Sequence, residues 1–227
     1  MDKASDAALD DPLSQVAWQT LRSEIIAGSL PPGARLRIGM LRETYGIGAS
    51  PLREALSRLV SDGFVVAQER RGFVVAPMSL AEFRDLTNIR KLLETQALRS
   101  SLEHGDDVWE VDVLGTFHKL SKAHKRHAIE APAAAEEWET LNEAFHSALV
   151  AACTSPYTLR FRRTVYGYAQ RYRRVCLSIA SISRNSLDEH RQLCEAALAR
   201  DADRAGELIE LHLEATYDKV AGSGRVS

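Results

Sequence analysis

A chain of 227 residues, 45% hydrophobic and 26% charged, has room for one large domain or two modest ones with a sizeable core. No run of 18 apolar residues offers a membrane span, and the three cysteines (Cys153, Cys176, Cys194) read as buried thiols, not as a disulfide framework or a zinc ribbon. The formal net charge of −2 does not advertise nucleic-acid binding, but it is uneven: Pro12–Met78 holds eight Lys/Arg against five Asp/Glu, so the remainder is acidic. Such a division suits a phosphate-facing module joined to one with another task, although ordinary scatter produces similar differences.

Residues 1–11 are small and acidic; they read as disordered and unlike a secretory signal, so a cytoplasmic location is expected. Helical periodicity begins near Leu13, with Val16, Ala17, Leu21, Ile25 and Ile26 at three- and four-residue steps, and stops at Gly28 and Pro31-Pro32-Gly33. A short helix follows from Ile38 to Tyr45. Ser50-Pro51 then reads as a capping hydroxyl before a proline at the first helical position, opening a helix with Leu52, Ala55, Leu56, Leu59 and Val60 as its buried stripe. Phe64-Val65-Val66 and Phe73-Val74-Val75 form a predicted hairpin around the charged Gln68–Gly72 tip.

Beyond Pro77 the β signal vanishes. Ser79 and Glu82 form a predicted capping box for a helix to about Glu103. Further helices are predicted from Asp106 to about Ile129, from Pro132 to near Cys153, and from Pro156 to about Ile182. Two more are capped by Ser186 (to Arg200) and by Asp201 (to about Val220). Six antiparallel helices in about 140 residues make a bundle. The predicted fold is thus mainly α. A winged helix-turn-helix domain occupies residues 12–77, an all-α bundle of six to seven helices residues 79–220, and a flexible tail residues 221–227.

Three helices and a hairpin in this order place the third helix to enter a DNA major groove and the hairpin tip to reach phosphates or the minor groove. The candidate DNA-binding residues are Arg37, Arg42, Ser50, Arg53, Arg70, Arg71 and Gly72. Arg53 sits one turn into the third helix, Ser50 offers a hydroxyl at its start, and Arg70 and Arg71 crown the hairpin. The plainer alternatives are that Arg53 pairs with a nearby acid and that Arg42 is only solvated. Seven histidines occur. His104, His118, His124 and His127 lie in polar sequence and read as surface residues. His146, His190 and His212 lie on apolar faces of three different helices, and Asn142 precedes His146 by one turn. Three imidazoles and one oxygen would suit Zn²⁺ or Ni²⁺, although lone histidines on helices are more often structural.

Leu30-Pro31-Pro32-Gly33-Ala34-Arg35-Leu36, Gly46-Ile47-Gly48-Ala49-Ser50-Pro51-Leu52-Arg53-Glu54-Ala55-Leu56 and Arg70-Arg71-Gly72-Phe73-Val74-Val75 together resemble the DNA-binding domain of GntR-type regulators. Residues 79–220 resemble the all-helical FCD domain of the FadR-type branch. Within that branch, Tyr45–Leu59 and Trp109–Leu120 are most similar to glutarate-responsive repressors of carbon-starvation genes. The resemblance implies a repressor: a homodimer on double-stranded operator DNA, with no membrane association and no enzymatic activity. It also implies a divalent metal (Zn or Ni) held by Asn142, His146, His190 and His212, and a small carboxylate effector met by Arg90 and Arg171. Coupling to DNA would pass through Pro77-Met78-Ser79. Two departures from the family pattern stand out. Ala49 replaces an arginine at the start of the recognition helix, and Asn142 replaces an aspartate, a neutral and weaker ligand. Two other readings of the histidines stay open: a hydrolase-like site in which the metal activates water, and a metal that only stiffens the bundle.

Overall fold

The computed structural model describes residues 12–69, 72–177 and 184–226, without the side chains of 127–135, 175–177 and 184–185. The reading of 1–11 as disordered, and the assignments of Arg70 and Arg71, fall outside these. The chain divides after Met78 into two compact units.

In the first unit, α1 (Pro12–Ala27), α2 (Ile38–Tyr45) and α3 (Ala49–Ser61) precede a small sheet. Its strands β1 (Arg35–Leu36), β2 (Val65–Gln68) and β3 (Gly72–Val75) lie in the order β1-β3-β2, all antiparallel, with Arg35 opposite Val74 and Gln68 opposite Gly72. Strand β1 was not foreseen; two residues carry no periodicity. Leu21, Leu52, Leu56 and Leu59 are wholly buried and fuse α1 to α3. Polar ties at the edge reinforce that packing: the Trp18 indole donates to Asp62 (2.6 Å), Ser14 donates to Glu54 (3.0 Å), and Arg58 lies over the Trp18 ring. Gly46 ends α2 in the left-handed region at φ 66°, where a Cβ would be strained. The start of α3 differs from the expectation. Gly48, not Ser50, stands at the cap and Pro51 is the third helical residue, a position that needs no N–H because first-turn donors are unpaired anyway.

The second unit contains α4 (Leu80–His104), α5 (Asp107–Leu149), α6 (Pro156–Leu177), α7 (Arg184–Leu198) and α8 (Ala202–Gly222). The foreseen caps Ser79, Asp106 and Asp201 are real: each side chain accepts the backbone N–H three residues on. Ser186 is not a cap, because α7 already begins at Arg184. Arg200 lies past the end of α7, in the left-handed region at φ 56°. From there its guanidinium satisfies the carbonyls of Leu102 (3.1 Å) and Gly105 (3.0 Å) and pairs with Glu110. Gly105 has to be glycine, since a Cβ there would meet the Trp109 ring at 2.6 Å. At the other end α8 runs on to Gly222 and Val226 is buried, so the presumed tail is partly packed.

Helical backbone runs through all 43 residues of α5, which would be about 64 Å long if straight. It is not straight. The Trp109 indole donates to the Ala148 carbonyl at 2.9 Å, the rings of Phe117 and Phe145 pack at a tilt with centroids 5.8 Å apart, and Arg126 pairs with Glu137 at 2.5 Å. The chain therefore doubles back between Arg126 and Glu137, and Pro132, expected to open a separate helix, lies in that reversal. Counted as limbs, the bundle has the six expected helical segments among the described residues.

A buried ionic cluster pins α4, α5 and α6 together. Glu94 on α4 accepts from Arg162 Nε at 2.6 Å and from Arg90 Nη2 at 3.3 Å. Arg162 Nη2 also donates to the carbonyl of His146 at 2.9 Å. That carbonyl lies in the last turn of α5, where carbonyls lack helical donors, so Arg162 is a C-terminal cap supplied by another helix. Arg173 on α6 pairs with Glu139 on α5 at 2.6 Å. Burial alone would raise the Glu94 carboxyl, but Arg162 and then Arg90 outweigh it and hold it below its ordinary value.

Two outcomes are expected. Trp109→Phe removes the indole bond to the Ala148 carbonyl, which keeps its bond from the Ala151 N–H, and should cost about 0.5–1.5 kcal/mol in chemical denaturation. Glu94→Gln strands buried arginines and should cost about 3–5 kcal/mol. Because the folded Glu94 carboxyl titrates below its unfolded counterpart, its contribution is present above the unfolded value of 4.5 and is lost as pH falls through the folded value. Denaturation curves of Glu94→Gln should therefore show a shallower loss of stability below that pH than the parent.

Candidate nucleic-acid interface and candidate metal centre

Helix α3 buries Leu52, Ala55, Leu56 and Leu59, which turns Ser50 and Arg53 outward. Arg37, Arg42 and Gly72 are exposed as well. Among the described residues, Arg53, Arg42 and Arg37 make no ion pair. The plainer reading of Arg53 as the partner of a nearby acid does not hold, since the adjacent Glu54 accepts from Ser14 instead. By contrast, Arg22 and Arg58 are committed to the rings of Phe64 and Trp18. Arg35, Arg160 and Arg163 are likewise exposed and make no ion pair among the described residues.

The three histidines expected to converge do so. His146 comes from the end of α5, His190 from α7 and His212 from α8; all are buried, and their ligating atoms lie within 4.8 Å of one another. The ring orientations follow from second contacts. His190 Nδ1 meets the Ser186 carbonyl at 2.6 Å and, since a carbonyl only accepts, it carries the proton there. His212 Nδ1 meets the Glu189 carboxylate at 2.8 Å. Both contacts leave Nε2 as the remaining ring nitrogen, the arrangement seen when a carbonyl or carboxylate orients a ligating imidazole. Burial, followed by the charges of His212 and His190, holds the His146 imidazole well below its ordinary value. Burial and then His212 do the same for His190, so both rings are neutral near pH 7.

Three buried polar atoms in this neighbourhood have no hydrogen-bond partner: His146 Nδ1, His190 Nε2 and Asn142 Oδ1. Each costs about 1–3 kcal/mol if nothing engages it. Around the cluster, Phe145 stacks edge-on with both His146 and His190, and Trp138 packs edge-on against His190. His124, expected on the surface, is buried. His104 and His118 are exposed as expected, and the His127 side chain lies outside the described residues.

The two candidate effector arginines part company. Arg90 is buried, shares Glu94 with Arg162, and its charge acts on His146; its Nε has no partner. Arg171 is buried too, but the groups acting on it are Tyr172, Glu82 and Tyr168, near the start of α4. Arg162, Arg173 and Tyr166 were missed. All three lie on α6, and the guanidinium groups of Arg90, Arg162 and Arg173 lie 5.0, 5.4 and 4.5 Å from the Tyr166 ring. The signal was present as a helical spacing of Arg162, Tyr166 and Arg173, but nothing in it distinguishes a buried arginine from a solvated one.

Comparison with known proteins agrees with this geometry. Residues 13–75 match the description "Bacterial regulatory proteins, gntR family", and residues 85–215 match the FCD domain. The chain is 40% identical to the uncharacterized HTH-type transcriptional regulator BphR of Paraburkholderia xenovorans, over 93% of this chain and 86% of that protein. It is 38% identical to the HTH-type transcriptional repressor GlaR of Escherichia coli, over 86% of this chain and 90% of the repressor. The fold is shared with a putative GntR regulator from Rhodococcus (TM-score 0.76, 23% identity, 93% of this chain and 99% of that one). It is also shared with E. coli McbR/YncC (TM-score 0.80, 19% identity, 94% and 99%). Winged domain, helical bundle and relatives agree: the chain belongs to the GntR family of bacterial regulatory proteins, a DNA-binding transcriptional regulator with an FCD domain and not an enzyme.

Proposed function

We propose that this regulator is a repressor that binds operator DNA as a homodimer and answers to a small carboxylate bound at a metal centre in the helical unit. The observation that carries the reading is the set of buried donors without protein partners, Asn142 Oδ1, His146 Nδ1 and His190 Nε2, beside His212. Nitrogen-rich sites with one oxygen suit Zn²⁺ or Ni²⁺. Bound there, the ion would supply Lewis acidity and open positions for a carboxylate oxygen. Arg90, whose Nε is unused, would take a second oxygen of the same acid through a charge-assisted hydrogen bond. Asn142 contributes no charge, so the centre keeps a stronger pull on an anion than one with an aspartate in its place.

On the DNA side, Arg53 and Ser50 would enter or flank the major groove from α3, and Arg37 and Arg42 would add contacts beside it. Gly72, with Arg70 and Arg71, would belong to the wing. Two copies are needed because one recognition helix reads too few base pairs, and paired half-sites multiply specificity. With Ala49 in place of an arginine, discrimination at one base pair falls by about 1–3 kcal/mol relative to family members that keep it.

Three measurements test this. Metal analysis of the purified chain should give one Zn²⁺ or Ni²⁺ per protomer, falling well below stoichiometric in His146→Ala, His190→Ala and His212→Ala. Full retention in all three would misplace the centre. On an operator selected from a random DNA pool, Arg53→Ala should weaken binding by about 5- to 150-fold, the equivalent of about 1–3 kcal/mol, by fluorescence anisotropy. A thermal-shift screen of small carboxylates with and without chelator should find acids that stabilise only the metal-loaded protein. If metal is bound but no acid alters operator affinity, the ion is structural.

A further inference from the structure

We infer that Tyr172 is the positioning residue that carries the state of the histidine cluster to the start of the helical unit, where the chain arrives from the DNA-binding unit. This rests on the reading of the cluster as the ligand-responsive centre and names the device that would report it.

The phenol is buried and its ring lies flat on Phe83, with centroids 4.4 Å apart and planes 11° apart. Its oxygen is used twice. It accepts the backbone N–H of Ser79 at 3.3 Å and donates to the Glu82 carboxylate. Ser79 caps α4 and is the first residue of the second unit. Glu82 stands where a capping box would return its carboxyl to the cap N–H, but Tyr172 has taken both partners. The first turn of α4 is thus held by a side chain from another helix.

That helix is α6, and its other end is tied to the histidine cluster. Arg162 donates to the backbone carbonyl of His146 and to Glu94. Arg162 and Tyr172 are ten residues apart, about 15 Å along a helix. Immediately after Tyr172, Arg173 is locked to Glu139, and α4 runs antiparallel beside α6 with Glu94 opposite Arg162 and Glu82 opposite Tyr172. A helix held this way moves as a body. A shift of the His146 backbone at one end therefore displaces the Ser79 contact at the other. The Tyr172 hydroxyl is the contact that converts this motion into a change at the residue following Met78.

Hydrogen exchange on the full chain tests this, with Zn²⁺ alone as the probe. In the parent protein Zn²⁺ should slow exchange of the peptide spanning residues 77–83 by at least about 5-fold, the lower bound of ordinary allosteric coupling. Tyr172→Phe keeps the ring stack and should bind Zn²⁺ with parent stoichiometry while the response at 77–83 disappears. Glu82→Gln, which keeps a hydrogen bond to the phenol, should retain most of it and serves if Tyr172→Phe does not fold. A purely structural Tyr172 would lower stability without altering the Zn²⁺ response, and that result overturns the inference, as does a Zn²⁺-bound parent with unchanged exchange at 77–83. Should Zn²⁺ not bind, the metal reading fails by itself and Arg162→Lys decides the coupling. Without metal it should still alter exchange at 77–83, and no change there overturns the proposal.

Discussion

The helical unit depends on one buried guanidinium. Arg162 binds a carboxylate on α4 and a backbone carbonyl at the end of α5 while sitting on α6, so three helices share a single hydrogen-bonding centre. Neither partner is optional. Glu94 without the arginines would be a desolvated carboxyl, and the His146 carbonyl without Arg162 would be a buried helix end with no donor. The same contact fixes the backbone of a residue in the histidine cluster. Structural integrity and ligand geometry are therefore one constraint here, and a change at either is felt at the other.

The DNA-binding unit is organised on the opposite plan. Its apolar stripe is short, and the polar groups at its edge tie α1 to α3 through Trp18, Asp62, Ser14 and Glu54. Those ties use up the acids beside α3 and leave Arg53 without a pairing partner among the described residues. An arginine kept exposed and unpaired loses little solvation or internal pairing when it meets a phosphate or a guanine edge. The packing of the unit and the availability of its reading side chains are linked by this allocation of carboxylates.

How much could be read in advance followed the range of each interaction. Ser79, Asp106 and Asp201 cap helices through bonds three residues long, and their side-chain types announce them. His146, His190 and His212 were legible because imidazole is rare on apolar helix faces and their spacing matched a family pattern. Glu94, Arg162, Arg173 and Glu139 were not, because their partners lie 68 and 34 residues away and a charged residue on a helix reads as solvated. Ser50 misled for a different reason: Ser-Pro fits a cap and the first turn equally well, and only the backbone at Gly48 decides between them. Pro132 gave the reversal in α5 correctly, although the helical backbone runs through it.

The position of His146 within α5 has an electrostatic consequence. The peptide dipoles of a helix sum to about half a negative charge at its C-terminal end, and His146 lies in the last turn of α5. The cluster therefore faces a partial negative potential generated by backbone alone. That backbone contribution is set against the positive charges of Arg90 and Arg162, which also act on His146, and no side-chain substitution in the cluster removes it.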